Sequence, residues 1–107
     1  DVVFATGAAG VELLNAEHIA SAIQLKVAAD INAVPPSGIV GLDAFDNGKE
    51  IAGSPSGAVG LGALAIGNIK YKTQSQLLKT MTESDKAVYL HFEHAFEVAR
   101  QIVKSSK

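Results

Sequence analysis

The sequence begins with two short apolar segments separated by a helix-forming segment. Residues 2–6 are mostly apolar and include β-branched side chains, which is typical of a parallel strand buried on both faces. Residues 25–31 form a second such run, and Pro35 and Pro36 stop it because proline cannot donate a ladder hydrogen bond. A strand, a helix and a strand within about 30 residues match the size of a βαβ unit. We therefore predict an α/β fold with parallel strands.

Local signals predict the helix between these two strands. Asn15 is a suitable N-cap, because its side chain can accept a hydrogen bond from a first-turn N–H group. Leu14 before it and Ile19 at the fourth helical position would form a hydrophobic staple. We predict that this helix ends near Ile23 and that residues 7–10 form a tight turn of small residues.

The middle of the chain is predicted to contain one short strand and a loop. Residues 39–45 are predicted as the strand, and Asn47-Gly48 is a hairpin-type turn signal. Residues 53–62 contain four glycines, two serines and one proline, a composition that predicts a loop.

Two helices are predicted at the carboxyl-terminal end, over about 65–81 and about 84–104. The second helix carries apolar residues on one face at helical spacing, and we predict that this face packs. These residues are Val88, Phe92, Ala95, Phe96, Ala99 and Val103. The predicted architecture is a partial, Rossmann-like three-layer domain with parallel strands, followed by two carboxyl-terminal helices.

Length and composition exclude several classes of function. The 107 residues suit one small domain or half of a larger one, and 48% hydrophobic residues can support a core. A net charge of −2 without a lysine or arginine cluster argues against nucleic acid and anionic membranes as partners. No apolar run reaches the ~18 residues of a membrane span. The lack of cysteine excludes disulfides and thiolate sites, and it is compatible with the cytoplasmic location that we predict.

The start of the sequence predicts a fragment. Residue 1 is aspartate and a core strand follows directly, although a domain rarely opens on a core strand without a lead-in. We expect an upstream part whose strands would neighbour residues 2–6 and 25–31. Because an unpaired apolar strand edge invites self-association, we also predict a homo-oligomer.

Small and polar residues follow both predicted parallel strands, at residues 5–8 and 30–33. In open parallel sheets, ligands bind outside the carboxyl ends of the strands. Small residues would let a flat ring or a ribose approach the backbone, and Asp30 and Asn32 would offer hydrogen bonds. The same residues also suit ordinary strand-to-loop turns, and the pattern leaves both interpretations open.

Lys70 is the most informative single residue of the predicted helix 65–81. At about 100° per residue it falls within the apolar stripe of that helix. A lysine on a core-facing stripe loses water and needs a partner, for example an anionic ligand. The alternative is that its stem packs while its ammonium group reaches the surface. The other members of the stripe are Ile66, Ile69, Thr73, Leu77 and Met81.

Two further motifs are weaker. Residues 60–65 fit the dinucleotide fingerprint G-x-G-x-x-A, but that fingerprint needs a preceding strand, and residues 54–56 are predicted as loop. We expect residues 60–65 to line or cap a cleft. His91, His94 and Glu97 have a helical spacing that could hold a metal. A solvated or hydrogen-bonded histidine pair explains them better, and we predict no metal.

Two sequence blocks are specific enough to suggest a family: Asp-x-Asn-Ala-x-Pro-Pro at residues 30–36 and Gly-Ala-Leu-x-Ile-Gly-x-x-Lys-x-Lys at residues 62–72. Further blocks lie at residues 3–8, 10–14, 38–39 and 46–50. In order and approximate spacing, these blocks together resemble the bacterial NAD(P)-dependent methylene-tetrahydromethanopterin dehydrogenases.

The resemblance implies that residues 1–107 are the carboxyl-terminal half of an NAD(P)-binding Rossmann domain. The pterin-binding domain and the phosphate-binding glycines would lie upstream. It implies reversible hydride transfer between a methylene-pterin and NADP or NAD, with Lys70 facing the pterin. The residues that it assigns to the cofactor site are Ala5, Thr6, Gly7, Ala8, Asp30, Asn32, Ala33 and Pro35.

Departures from the family pattern leave the one-carbon carrier open between methanopterin, folate and a relative. Residues 53–61 are longer than the family's usual linker, and Asn68 stands where a glycine is common. Two rival functions also remain at this point: another Rossmann dehydrogenase, or a non-catalytic nucleotide-binding module.

Overall fold

A computed structural model of the chain describes all 107 residues. It contains one four-stranded sheet and three helices. In chain order the elements are β1 (Val2–Ala5), α1 (Ala16–Ser21), β2 (Val27–Asp30), β3 (Asn47–Glu50), β4 (Val59–Leu61), α2 (Ala63–Glu83) and α3 (Phe92–Ser105). The chain divides into two compact units, which we call the sheet unit (Asp1–Ile66) and the helical unit (Gly67–Lys107).

The strand order in the sheet is β1-β2-β4-β3. β1, β2 and β4 are parallel, and β3 runs antiparallel to β4 at one edge. The predicted α/β class with parallel strands and two carboxyl-terminal helices is confirmed. No helix is both long enough and apolar enough to cross a bilayer.

The predicted βαβ unit at the start of the chain is confirmed. β1 and β2 are adjacent, with Val2 paired to Val27 and Ala5 paired to Asp30. Asn15 caps α1 as predicted, since its Oδ1 accepts a hydrogen bond of 3.0 Å from the backbone N–H of His18. The helix ends at Ser21, slightly earlier than predicted.

The buried core lies entirely in the sheet unit. It combines strand residues with side chains from the segment between β2 and β4. Burial of one isoleucine or leucine contributes about 1.5–3 kcal/mol, so this cluster holds that segment against the sheet. The cluster consists of Ala5, Ile19, Leu25, Ala28, Ile39, Leu42, Ile51 and Ala58.

The predicted strand over residues 39–45 is wrong. Ile39 forms only an isolated parallel bridge with Leu14, and the N–H of Leu42 donates back to the carbonyl of Ile39. Gly41 has a φ of +77°, a left-handed conformation that glycine tolerates and that turns the chain here. The apolar residues of this segment are therefore buried by a turn.

The predicted hairpin turn at Asn47-Gly48 is also wrong. Both residues belong to β3, where the register shifts between Asn47 and Lys49. Gly48 has a φ of +83°, so the glycine serves a β-bulge in the antiparallel edge strand.

The predicted loop over residues 53–62 is wrong in part, because Val59–Leu61 form the strand β4. β4 lies between β2 and β3 and carries Gly60 at its centre. A Cβ atom at Gly60 would lie 3.0 Å from the Leu42 side chain, so the glycine leaves room for that side chain over the sheet. Glycine lowers strand propensity, which is why the sequence pattern did not indicate a strand.

The helical unit differs from its prediction at one helix start. α2 extends the predicted helix by two residues at each end. α3 begins at Phe92, and residues 84–91 are not helical. Nδ1 of His91 caps α3 by accepting from the N–H of Glu93 at 3.4 Å.

The predicted packing of the α3 face is wrong for this chain. No residue of α3 is buried, and Phe92 is 79% exposed. In α2, Thr73 is the one buried residue. The helical unit therefore has little core of its own.

Candidate functional site

A cleft of about 210 Å³ opens in the sheet unit, beyond the carboxyl ends of β2 and β4. This is the end of a parallel sheet at which ligands bind in α/β proteins. The cleft is lined by the segment after β2, by the following turn and by the first residue of α2. The lining residues are Asp30, Asn32, Ala33, Val34, Pro35, Ser37, Leu42, Asp43, Ala44 and Ala63.

Asp30 ends β2 and is 1% exposed. Its Oδ2 accepts hydrogen bonds from the backbone N–H groups of Gly38 at 2.6 Å and Ile39 at 3.2 Å. Its Oδ1 accepts from the N–H of Asn32 at 2.9 Å. A buried carboxyl group needs such donors, and here all three come from the segment that lines the cleft. Asp30 therefore fixes the shape of the cleft wall.

Gly38 is required by this arrangement. A Cβ atom at residue 38 would lie 2.8 Å from Oδ1 of Asp30. Any side chain there would push the backbone away from the buried carboxyl group and lengthen the shortest of its hydrogen bonds.

Asn32 connects the loops that follow β1 and β2. Its Oδ1 accepts from the N–H groups of Gly10 at 3.2 Å and Val34 at 2.9 Å. Its Nδ2 donates to the carbonyl of Pro36 at 2.8 Å. The amide group is thus occupied on both sides by backbone. The wall of the cleft between these anchors consists of small apolar residues, Ala33 to Pro35.

Four of the predicted cofactor residues, Asp30, Asn32, Ala33 and Pro35, come together in this cleft. The other four, at the end of β1 and directly after it, do not belong to its lining. Ala5 is buried in the core, and Thr6, Gly7 and Ala8 are exposed at the end of the neighbouring strand. The N–H of Ile31 donates to the carbonyl of Ala5 at 3.3 Å, which joins the two strand ends.

Sequence reasoning missed one side of the cleft, the turn at residues 42–44. Oδ2 of Asp46 accepts from the N–H of Asp43 at 2.9 Å and stabilises this turn. A Cβ atom at Gly62 would collide with the carbonyl of Asp43, so the turn packs directly on the backbone between β4 and α2. The glycine at position 62 was the available signal for this close approach, but the strand predicted over 39–45 obscured it.

The G-x-G-x-x-A match at residues 60–65 follows a strand after all, because β4 contains Gly60. Its donors are nevertheless occupied. The N–H of Gly62 bonds to the carbonyl of Asp46, and those of Leu64 and Ala65 bond to the carbonyl of Ala44. A phosphate cradle needs free N–H groups at the start of the helix. This segment instead closes the cleft wall.

Lys70 lies in α2 within the helical unit, and its side chain is exposed. It forms no hydrogen bond or ion pair in the chain. Of the two interpretations of Lys70 that the helical spacing left open, the exposed position agrees with the one in which the ammonium group reaches the surface, although neighbouring Thr73 of the same stripe is only 7% exposed. The ammonium group reaches solvent, as the alternative interpretation predicted. The role of Lys70 stays a prediction.

His91 and His94 stabilise the amino-terminal end of α3. Nδ1 of His94 accepts from the N–H of His91 at 3.2 Å and completes a capping box with the His91 cap. No group of three or more His, Cys, Asp or Glu side chains is arranged to hold a metal ion.

No protein-family model matches the chain, but two curated proteins are similar to it over nearly its whole length. The chain is 43% identical over 102 residues to an NAD(P)-dependent methylenetetrahydromethanopterin dehydrogenase of Methylorubrum extorquens. It is 36% identical over 100 residues to the bifunctional protein MdtA of the same organism. These matches cover 95% and 94% of this chain, but only 34% and 33% of those proteins.

The chain thus spans about a third of the length of the curated relatives that it matches. The resemblance predicted from the sequence blocks is confirmed: the chain is similar to a carboxyl-terminal portion of this dehydrogenase family.

Proposed function

We propose that the chain is the carboxyl-terminal half of an NAD(P)-binding Rossmann domain in a dehydrogenase of one-carbon metabolism. The reaction is hydride transfer between methylene-tetrahydromethanopterin, or methylene-tetrahydrofolate, and NADP or NAD. The observation that carries the proposal is the cleft beyond β2 and β4, in a chain 43% identical to a relative named as an NAD(P)-dependent dehydrogenase of that substrate.

The chain's contribution to this reaction is positioning. Hydride transfer depends on holding the donor and acceptor carbons in contact in a water-poor site, while the cofactor supplies the chemistry. The apolar wall from Ala33 to Pro35 suits the face of a nicotinamide ring, and Asp30 and Asn32 keep this wall rigid through their backbone hydrogen bonds. The exposed residues Thr6 to Ala8, at the adjacent strand end, would contact the cofactor from the other side.

Lys70 is proposed to orient the pterin as an electrostatic group, not as a nucleophile. An exposed ammonium group without an ion-pair partner is available to a carbonyl or anionic group of a substrate. The proposal also includes a homo-oligomeric enzyme in the cytoplasm.

The test uses the full-length protein that contains this chain. Purified protein is assayed for NADP and NAD reduction with each methylene carrier. The cleft variant Ala33→Asp is then compared with Ala20→Asp, which adds the same charge to an exposed position of α1. A carboxylate on the nicotinamide wall should raise the KM for the cofactor by about 10–100-fold, equivalent to roughly 1.4–2.7 kcal/mol of binding free energy. The control should change it less than about twofold.

The outcomes separate the rival functions. Cofactor binding without turnover of either carrier would favour a non-catalytic nucleotide-binding module. Equal KM values for Ala33→Asp and Ala20→Asp would remove the cleft from the cofactor site.

A further inference from the structure

The two carboxyl groups that line the cleft differ in how far their charge is compensated. Asp30 is buried, and its oxygens accept three backbone hydrogen bonds. Asp43 is exposed, and its Oδ1 accepts one hydrogen bond of 2.9 Å from the N–H of Phe45. Oδ2 of Asp43 forms no hydrogen bond or ion pair in the chain. Asp43 therefore presents a carboxylate oxygen that is free to act on a ligand in the cleft.

No positively charged side chain of the cleft lining balances Asp43. The lining contains no lysine, arginine or histidine. The ammonium group of Lys49 in β3 lies 3.6 Å from Oδ1 of Asp46 and pairs with that carboxylate. A negatively charged cleft disfavours phosphate groups and favours a cation. The charge thus suits the nicotinamide end of a dinucleotide better than its pyrophosphate.

The turn at residues 42–44 holds the Asp43 carboxylate in place. The bond from the N–H of Phe45 to Oδ1 closes an Asx turn. The N–H of Asp43 donates to Oδ2 of Asp46 at 2.9 Å, and the carbonyl of Asp43 packs against Gly62. Because both the backbone and the side chain are fixed by these contacts, little side-chain order has to be gained when a ligand binds.

The proposed reaction changes the charge of the group that we expect in this cleft. An oxidised nicotinamide ring carries a positive charge, and it becomes neutral when it accepts a hydride with its two electrons. A nearby carboxylate attracts the positive ring by Coulomb's law and finds no net charge on the reduced ring. The phosphates and riboses of the cofactor are the same in both states. A fixed carboxylate would therefore discriminate between the two redox states.

We propose that Asp43 determines which redox state of the cofactor the cleft prefers, and that it favours the oxidised form. The inference rests on the proposed function, in which this cleft holds the nicotinamide ring. The apolar wall from Ala33 to Pro35 contacts the face of the ring, and the exposed Asp43 carboxylate acts on its charge. The preference favours entry of the oxidised cofactor and release of the reduced one, and so oxidation of the methylene carrier.

A purely structural role for Asp43 predicts a different result. The N–H groups of Leu64 and Ala65 donate to the carbonyl of Ala44, so the turn covers the amino-terminal end of α2. A carboxylate in that turn would interact favourably with the positive end of the helix dipole. Its removal would then lower the stability of the fold and would change the affinities for both redox states by the same factor.

The experiment measures cofactor binding by the full-length protein that contains this chain. Asp43→Asn removes the charge but keeps an oxygen that can accept from the N–H of Phe45. Isothermal titration calorimetry gives the dissociation constants of NADP and NADPH, and of NAD and NADH. Asp43→Asn should raise the constant of the oxidised form by about three- to tenfold and change that of the reduced form by less than about twofold. Urea unfolding checks that the variant keeps its fold.

The matched control is Glu50→Gln, which removes the same charge from the same sheet unit. Glu50 is exposed and pairs with Val59, so it lies at the amino end of β4, away from the cleft. Both dissociation constants should stay within about twofold. A second measurement needs no substitution. In the wild-type protein, added salt should reduce the preference for the oxidised form, because it screens the exposed carboxylate.

The outcomes separate this inference from the proposed function. Equal changes in both redox states after Asp43→Asn overturn the inference and favour the structural role. If Asp43→Asn changes neither constant while Ala33→Asp weakens both, the cleft binds the cofactor and the inference alone fails. Ala33→Asp should weaken both states, because its side chain would fill the space of the ring. If neither variant changes any constant, the cleft is not the cofactor site and the proposed function of the cleft fails as well.

Discussion

The two units of the chain bury their residues to very different extents. In the sheet unit, strands, a helix and the segment after β2 share one apolar cluster, and even a carboxyl group is buried with its donors. In the helical unit only Thr73 is buried, and its hydroxyl group bonds back to the carbonyl of Ile69 within the same helix. The comparison shows that regular secondary structure does not imply a core. Stability should therefore depend on individual residues in the first unit and hardly at all in the second.

The largest expected effect is that of Asp30→Ala. The substitution leaves three backbone N–H groups without their acceptor inside the sheet unit. An unsatisfied buried donor costs about 1–3 kcal/mol, and partial access of water limits the sum, so we expect a loss of about 4 kcal/mol. Urea unfolding measures it. Asp85→Ala, at an exposed position outside any helix, is the control and should stay within about 0.5 kcal/mol.

The comparison is tested directly by truncating one apolar side chain in each unit. Ile39→Ala removes a fully buried side chain and should cost about 3 kcal/mol of unfolding free energy, because the cavity adds to the lost transfer free energy. Phe92→Ala removes a larger but exposed ring and should cost less than about 0.5 kcal/mol when measured on dilute, monomeric protein. Similar losses at both positions would show that the helical unit packs far more tightly than its exposure indicates.

The smallest expected effect on stability belongs to Lys70→Met, which should affect kinetics instead. Lys70 is exposed and unpaired, so its replacement should leave the free energy of unfolding unchanged within about 0.5 kcal/mol. In the full-length enzyme, loss of a charge-assisted hydrogen bond to the pterin should lower kcat/KM by about 10–100-fold.

Lys72→Met is the matched control for Lys70. Lys72 is also exposed in α2, about 160° around the helix from Lys70. Equally small kinetic effects at both lysines would remove Lys70 from the proposed site. That site would then consist only of the cleft in the sheet unit.

The elements that sequence reasoning predicted well are those with strong local signals. The apolar runs of β1 and β2, the Asn15 cap and the long pattern of α2 act over a few neighbouring residues. β4 was missed because its three residues gain their pairing from β2 and β3, which are distant in sequence. The start of α3 was placed too early because the apolar spacing continues through residues 84–91, although the backbone there is not helical.

The candidate site was predicted in part for the same reason. The sequence indicated the polar residues at the end of β2, and Asp30, Asn32, Ala33 and Pro35 do line one cleft. It did not indicate what those polar groups do, since the donors to Asp30 come from residues eight and nine positions further along. The turn at residues 42–44 became part of the cleft only through its contact with Gly62.

By itself, the sequence determined the α/β class, the βαβ unit, the first helix cap and the resemblance to the dehydrogenases. All of these depend on short-range preferences or on the identity and order of residues. Only the tertiary structure decided that Gly60 lies in a strand, that the buried Asp30 carboxylate binds the backbone of the cleft wall, and that Lys70 and Phe92 are exposed. Burial depends on what lies opposite a residue in space, and periodicity along one helix or strand contains no information about that.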